Sequence, residues 1–431
     1  MANKAQGASE PENGASRGGA GGRMRLPALL RRFWAWTAVA FGLMVLVACI
    51  ERAMGFSRWH YNPLTGDRYQ DLMEFPPVYR MLHTAAFFDG LGNSRVAYPP
   101  LGAAIYALLY ATGHAIGVYL TTAAVWLAGT VWGVRRALMK WGIGGATATL
   151  FPLTVALASF PIAGLLQRGN IELFLWVIAG LGTWLFLRER EDAAAVLWGL
   201  AAAAKLYPLL LLALLLPRKK WRAFGLGVAT FAGATAASLR WLGPTMGVAW
   251  RGSLRNVFGY QGRRASEWQL HELMANHTVF NLVKFGAMIA HVPLAKLTLP
   301  YYACGALAMG WAFFGRLWKM PVANQLLAVT AFMVMFPPVS YFYTLVHLYA
   351  PLLVLLFVAV RAERAGVQVR GLKLTVMLFV PLLASFMLFT FPRVLLFGGL
   401  IQGGMLVALF GCAVRYPFAV PEVKAEIPSA G

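Results

Sequence analysis

Sixteen carboxylates serve a chain of 431 residues, and five of them, Glu51, Asp67, Asp71, Glu74 and Asp89, fall in one polar stretch between apolar runs. A reaction that needs a base would look for it there. Asp71 and Glu74 lie in Tyr69-Gln70-Asp71-Leu72-Met73-Glu74-Phe75, where apolar residues at helical spacing predict a short amphipathic helix on a membrane surface. A carboxylate held at that boundary can take a proton from an acceptor hydroxyl. Any single one of these acids could equally be the solvating charge of an exposed loop. The stretch closes with Val96-Ala97-Tyr98-Pro99-Pro100-Leu101, whose double proline forces an extended turn before the next helix.

A second set of polar residues interrupts apolar sequence. Gln167-Arg168-Gly169-Asn170-Ile171-Glu172 separates two apolar runs, and Glu172 is the carboxylate that falls inside one. Ionisable groups at membrane depth are costly and mark cavities, so Arg168, Asn170 and Glu172 are substrate-binding candidates; an ion pair between Glu172 and Arg168 is the plainer alternative. Lys205 has about ten apolar residues on each side. It either snorkels to an interface or, if a hairpin brings it beneath the polar loops, holds a lipid phosphate. Arg251, Arg255, Arg263 and Arg264 cluster on the side where basic residues are unusual, and guanidinium groups there suit phosphate oxygens. His271, Glu272, Asn276 and His277 are spaced like weak metal ligands, but no HExxH pattern accompanies them, and no metal is expected. Phe336 to His347 places aromatics and a histidine at a helix end, as an interfacial aromatic belt would. Gly-rich phosphate loops, nucleophile elbows and Cys/His clusters are absent from the sequence, which leaves no case for a nucleotide-hydrolysing pump or a serine hydrolase and no expected cofactor.

The elements that must position these residues are membrane helices. Hydrophobic residues make up 59% of the chain and charged ones 13%, and mean hydropathy is +0.62. Runs such as Phe33–Ile50, Ile143–Leu166, Ile171–Leu187, Leu374–Thr390 and Val394–Val414 approach the ~20 residues that cross a bilayer. The expected fold is an all-α polytopic membrane protein. The net charge of +22 reads as basic cytoplasmic loops, not nucleic-acid binding. Cys49, Cys304 and Cys412 all lie in apolar runs and read as small core residues.

Residues 1–30, rich in Gly, Ala and Ser, form a disordered cytoplasmic tail; residues 31–416 form one membrane domain, and 417–431 a cytoplasmic C-terminal tail. Basic clusters at Arg31-Arg32, Arg135 to Lys140, Arg188 to Asp192, Arg218 to Arg222, Arg316 with Lys319, and Arg361 to Lys373 are assigned inside. Extracytoplasmic loops then cover 51–100 and 242–277. Leu101–Ala111 is a short or re-entrant helix, and the stretch between Asp192 and Arg218, split by Lys205 and Pro208, is a broken hairpin or bent helix. The expectation is about ten full spans with one to three partial ones. No repeat of fixed period is evident.

Taken in order, the motifs resemble glycosyltransferase family 87. They are Asp71-Leu72, Tyr98-Pro99-Pro100-Leu101, Arg168-Gly169-Asn170, Gly199 through Lys205 to Pro208 ahead of Arg218 to Arg222, Asn276-His277-Thr278, and Pro337-Pro338-Val339-Ser340-Tyr341 with His347. The resemblance covers roughly residues 33 to 360. It implies a GT-C architecture and an enzyme of the plasma (inner) membrane that moves a mannose- or pentose-like sugar from a polyprenyl-phosphate donor to a hydroxyl of a lipid or glycan. The active site would face the extracytoplasmic side. It further implies that Asp71 is the general base, with Lys205 and the arginines steadying the departing phosphate. Gln167-Arg168-Gly169-Asn170 departs from the family's usual Gly-Gln-x-Asn, and Ser340-Tyr341 from its Ser-Trp. The rival class is a transporter or lipid flippase, which would not need a carboxylate-stocked loop; a transferase of another GT-C family is a third.

Overall fold

The computed structural model describes residues 26–54, 69–74, 76–89, 96–266, 276–384 and 398–420. Asp67, His271 and Glu272 lie outside the described residues, as do nearly all of the N-terminal tail and the side chains of Glu51, Arg263 and Arg264. Among the described residues the chain is helices joined by turns, with no strand, and Asn276 forms an isolated antiparallel bridge with Tyr341. In chain order the helices are α1 (Ala28–Ala53), α2 (Gln70–Glu74), α3 (Pro76–Tyr79), α4 (Ala86–Asp89), α5 (Pro100–Ala111), α6 (Ala115–Lys140), α7 (Gly145–Leu157), α8 (Phe160–Arg168), α9 (Glu172–Leu187) and α10 (Glu191–Ala204). A 3-10 helix, Tyr207–Leu215, precedes α11 (Trp221–Leu242), α12 (Met246–Ser266), α13 (Val279–Ile289), α14 (Ala295–Gly315) and α15 (Val322–Met335). A second, Phe342–Leu348, leads into α16 (Tyr349–Arg364), followed by α17 (Leu372–Leu383) and α18 (Gly398–Arg415).

Among the described residues four segments, Ala115–Lys140, Ala295–Lys319, Phe342–Arg364 and Gly398–Arg415, are long and apolar enough to cross a membrane; α7 with α8 makes a fifth if that pair, bent by 55°, is one span. This is fewer than the ten expected, and the reason is physical. Polar and proline-bearing breaks cut the apolar sequence into shorter helices such as Pro100–Ala111, Glu172–Leu187 and Val322–Met335. Leu299, Leu307, Trp311 and Phe314 of α14 are exposed, a face that only hydrocarbon would cover without penalty. By contrast every residue from Ala323 to Met335 is buried, so α15 runs through the centre. Cys49 and Cys304 are exposed on outward helix faces, correcting their reading as core residues; Cys412 is buried.

Alanines and glycines let the central helices touch backbone to backbone. A Cβ on Gly199 of α10 would sit 2.3 Å from the carbonyl oxygen of Gly227 in α11, and one on Gly227 3.0 Å from that of Ala195. The break after α10 resolves as a hairpin: Lys205 is extended (φ −150°, ψ 139°), Pro208 lies in the first turn of the 3-10 helix, and the chain returns until Lys220 lies 3.3 Å from Glu191 at the start of α10. Within 242–277 the described residues Met246–Ser266 form helix α12, whose Gly252 and Asn256 pack on Phe88, with Asn256 Nδ2 donating to the Phe88 carbonyl at 2.6 Å. The C-terminal stretch begins packed, since Phe418 is buried and its amide donates to Asn324 Oδ1 at 2.8 Å.

The basic clusters meet at one end of the helices. Arg364 donates to the Trp141 carbonyl at 2.6 Å, the Ala28 amide to Glu363 Oε2 at 2.8 Å, and Arg316 to the Val414 carbonyl at 2.6 Å, while Arg222 pairs with Asp192 at 3.4 Å. Arg168, Glu172, Lys205 and His347 lie at the opposite ends of the helices they terminate or precede, and Asp71 pairs with Arg168 there.

Candidate functional site

The site begins at the break between α8 and α9. Ser159 caps α8, accepting from the Ile162 amide at 3.0 Å, with Pro161 in the first turn. Gly169 ends α8 with φ +66°, a left-handed conformation that glycine adopts without strain, and a Cβ there would lie 2.9 Å from Leu72. Asn170 Oδ1 then accepts from the Glu172 amide at 2.9 Å and opens α9. The five-residue helix α2 docks on this turn through Leu72 and through the Tyr69 amide, which donates to the Gln167 carbonyl at 2.5 Å.

That docking sets Asp71. Arg168 Nη2 donates to Asp71 Oδ1 at 2.7 Å, Arg168 Nη1 to Gln70 Oε1 at 2.7 Å, and Asn170 Nδ2 to Asp71 Oδ2 at 2.5 Å. Both carboxylate oxygens are therefore engaged, and the Asp71 side chain is 8% exposed. Asn170 Nδ2 also lies 3.4 Å from the Tyr98 hydroxyl, which in turn meets the Tyr106 hydroxyl at 3.4 Å. Tyr106 accepts from the Ile171 amide at 3.0 Å. Burial, with Tyr106 and the Asp71 carboxylate adding to it, pushes the Tyr98 phenol well above its ordinary range, so it remains a neutral hydroxyl.

Glu172 anchors a second cluster one residue pair away. It is fully buried; Lys205 Nζ pairs with its Oε2, the Tyr207 hydroxyl donates to its Oε1, and His347 Nε2 lies 2.6 Å from Oε1. The plainer alternative for Glu172 is thereby corrected: its cation is Lys205, because Arg168 turns the other way, to Asp71. Lys205 Nζ stands 5.9 Å and 5.7 Å from the ring centroids of Tyr207 and Tyr343. Asn170 joins the clusters, its amide nitrogen on Asp71 and its amide oxygen at the Glu172 amide. Beneath His347, a cavity lined by Trp176, Thr183, Thr330 and Met333 measures about 10 Å³, room for about one water.

The remaining residues singled out in the sequence sit elsewhere. Glu74 is exposed, on the far side of α2 from buried Leu72. Arg255 pairs with Asp89 at 2.6 Å and Arg251 is exposed, so both belong to the outer surface of α12. His277 is buried in the bridge between two segments: its amide donates to the Ser340 carbonyl at 3.1 Å and its Nε2 lies 3.3 Å from Thr344 Oγ1. Among the described residues no group of three or more His, Cys, Asp or Glu side chains is gathered as for a metal. Sequence reasoning missed Gln70, Tyr106, Tyr207 and Tyr343. Of these, Tyr207 was detectable, since the Tyr207-Pro208 pair two residues after Lys205 marks the end of a helix and the start of a turn.

No curated protein and no solved structure matches the chain. Residues 97–338 match the model of glycosyltransferase family 87, a stretch that holds Tyr98, Arg168, Asn170, Glu172, Lys205 and Tyr207, begins after Asp71 and ends before His347. With more than half its length matched, the chain belongs to glycosyltransferase family 87.

Proposed function

We propose that this glycosyltransferase moves a mannose- or pentose-like sugar from a polyprenyl-phosphate donor to a hydroxyl of a lipid or glycan acceptor. Asp71 takes the proton of that hydroxyl, and the acceptor oxygen forms its bond to the anomeric carbon. The bond from that carbon to the phosphate oxygen breaks, and the polyprenyl phosphate departs with the electron pair. Asn170 and Arg168 hold the Asp71 carboxylate, and Lys205 meets the negative charge that grows on the phosphate. The observation that carries this reading is the adjacency of a held carboxylate and a lysine-bearing polar cluster at one end of the helices, within and beside the family segment. A lipid-linked anionic donor needs a base reachable from water beside a cation reachable from lipid, and catalysis then rests on positioning.

The basic clusters at the opposite end favour an extracytoplasmic site in the plasma (inner) membrane, by the bias of Lys and Arg toward cytoplasmic loops. The GT-C architecture and the number of spans, about ten if the short helices cross, belong to the same proposal.

Purified protein in lipid, given a polyprenyl-phosphate sugar and a panel of glycan and lipid acceptors, is expected to release polyprenyl phosphate in step with glycosylated product. Movement of the lipid-linked sugar across vesicles with no product would establish the transporter or flippase instead.

A further inference from the structure

We infer that Glu172 is a positioning residue for the lipid phosphate: with Tyr207 and His347 it forms a bracket that holds the Lys205 ammonium in place for a phosphate bound beside Asp71. The inference rests on the polyprenyl-phosphate reading and assigns Glu172 no contact with substrate. Its side chain is fully buried and both oxygens are engaged, Oε2 by Lys205 and Oε1 by Tyr207 and His347. Three donors already sit on the carboxylate, and its complete burial leaves a sugar hydroxyl no approach to it.

Lys205 differs from its bracket. Its side chain keeps 18% exposure against 0% for Glu172 and 3% for His347, so it is the less enclosed partner of the pair it forms with Glu172. Lys205 is also the residue at which α10 stops, extended between Ala204 and the 3-10 helix, so nothing in the backbone regularity fixes its side chain. The rings of Tyr207 and Tyr343 flank the ammonium, and the Glu172 charge holds it from behind. The cavity that His347 lines with Trp176, Thr183 and Met333 is water-sized, too small to take a phosphate. Three separate chain segments, α9, the α10 break and Phe342–Leu348, thus converge on one carboxylate.

A buried carboxylate is costly unless it orders its partners. Without it, the lysine would be free to snorkel away from Tyr207 and Tyr343. Charge also balances. Asp71 with Arg168 and Glu172 with Lys205 are two matched pairs, and a phosphate entering beside Lys205 shares an ammonium that already stands in place.

The test compares Glu172→Gln, Glu172→Asp and Tyr207→Phe with the parent in lipid, using direct binding of polyprenyl phosphate and donor and acceptor KM. Glu172→Gln is expected to weaken polyprenyl phosphate binding and raise donor KM by about tenfold or more, the scale of one loosened charge-assisted contact. Acceptor KM should stay within about twofold, Glu172→Asp should recover part of the loss, and Tyr207→Phe should shift donor KM by about two- to fivefold the same way. Should Glu172→Gln fail to fold, Tyr207→Phe alone decides. Unchanged phosphate binding in folded variants overturns the inference, as does an equal rise of both KM values without rescue by Glu172→Asp, which is the mark of a merely structural residue. Sugar transfer absent from the parent, with phosphate binding still lost in Glu172→Gln, would defeat the transferase reading and leave the bracket standing.

Discussion

At the level of single residues, the site is governed by which partner each charge finds. Arg168 forks between Asp71 and Gln70, each at 2.7 Å, a geometry that a planar guanidinium supplies and an ammonium cannot. Arg168→Lys should therefore keep the positive charge yet loosen Asp71, lowering kcat by about 10- to 100-fold, the range for a reacting group displaced by about an ångström. Donor KM should hold steady, because Arg168 acts on the carboxylate. Steady-state kinetics with varied donor checks this, and a raised donor KM at unchanged kcat would return Arg168 to the phosphate. The chain's charges were legible from the sequence as a set, since Asp71, Arg168, Asn170, Glu172 and Lys205 all stood out by polarity against apolar surroundings. Their pairing was not. Whether Arg168 meets Asp71 or Glu172 depends on the left-handed turn at Gly169, after which Glu172 pairs with Lys205 while Arg168 and Asn170 both meet Asp71, and that turn is a backbone fact that residue types alone do not dictate.

At the level of elements, the site is held by short helices that end where the chemistry begins. Helix α8 meets the Phe342–Leu348 helix through Gly164, where a Cβ would lie 2.0 Å from the Phe342 ring, and Phe342 is followed directly by Tyr343 and then His347. Gly164→Ala should displace that helix, lowering stability by about 1–3 kcal/mol and transfer along with it. Thermal unfolding in detergent reads the first effect, and an unchanged melting temperature would show that the interface can give way. The broken hairpin around Lys205 was readable from the sequence because Pro208 cannot continue α10. Helix α12 was not: Arg251, Arg255 and Arg263 spread through 242–277 give it loop-like polarity, and only its packing of Gly252 and Asn256 on Phe88 shows why it is ordered.

At the level of the whole molecule, charge is sorted by end. The basic residues of Arg188 to Arg222, Arg316 and Arg364 lie together, away from Asp71. All-helical membrane architecture followed directly from composition, but the number of long spans did not. Apolar content cannot tell one crossing from two half-helices, and Gly169-Asn170, Lys205 and Pro337-Pro338 divide runs that hydropathy alone would join. In a version with Cys49, Cys304 and Cys412 replaced, single cysteines at Glu74 and Lys219, both exposed, should react with an impermeant thiol reagent from opposite faces of sealed vesicles. Labelling of both from one face would contradict the orientation. The account as a whole turns on Asp71 as the base, and the most direct measurement is sugar transfer by Asp71→Asn beside its binding of polyprenyl phosphate. Transfer should fall by about 10²- to 10⁴-fold, as loss of a general base requires, with phosphate binding within about twofold of the parent. Transfer that persists undiminished in Asp71→Asn would contradict the account.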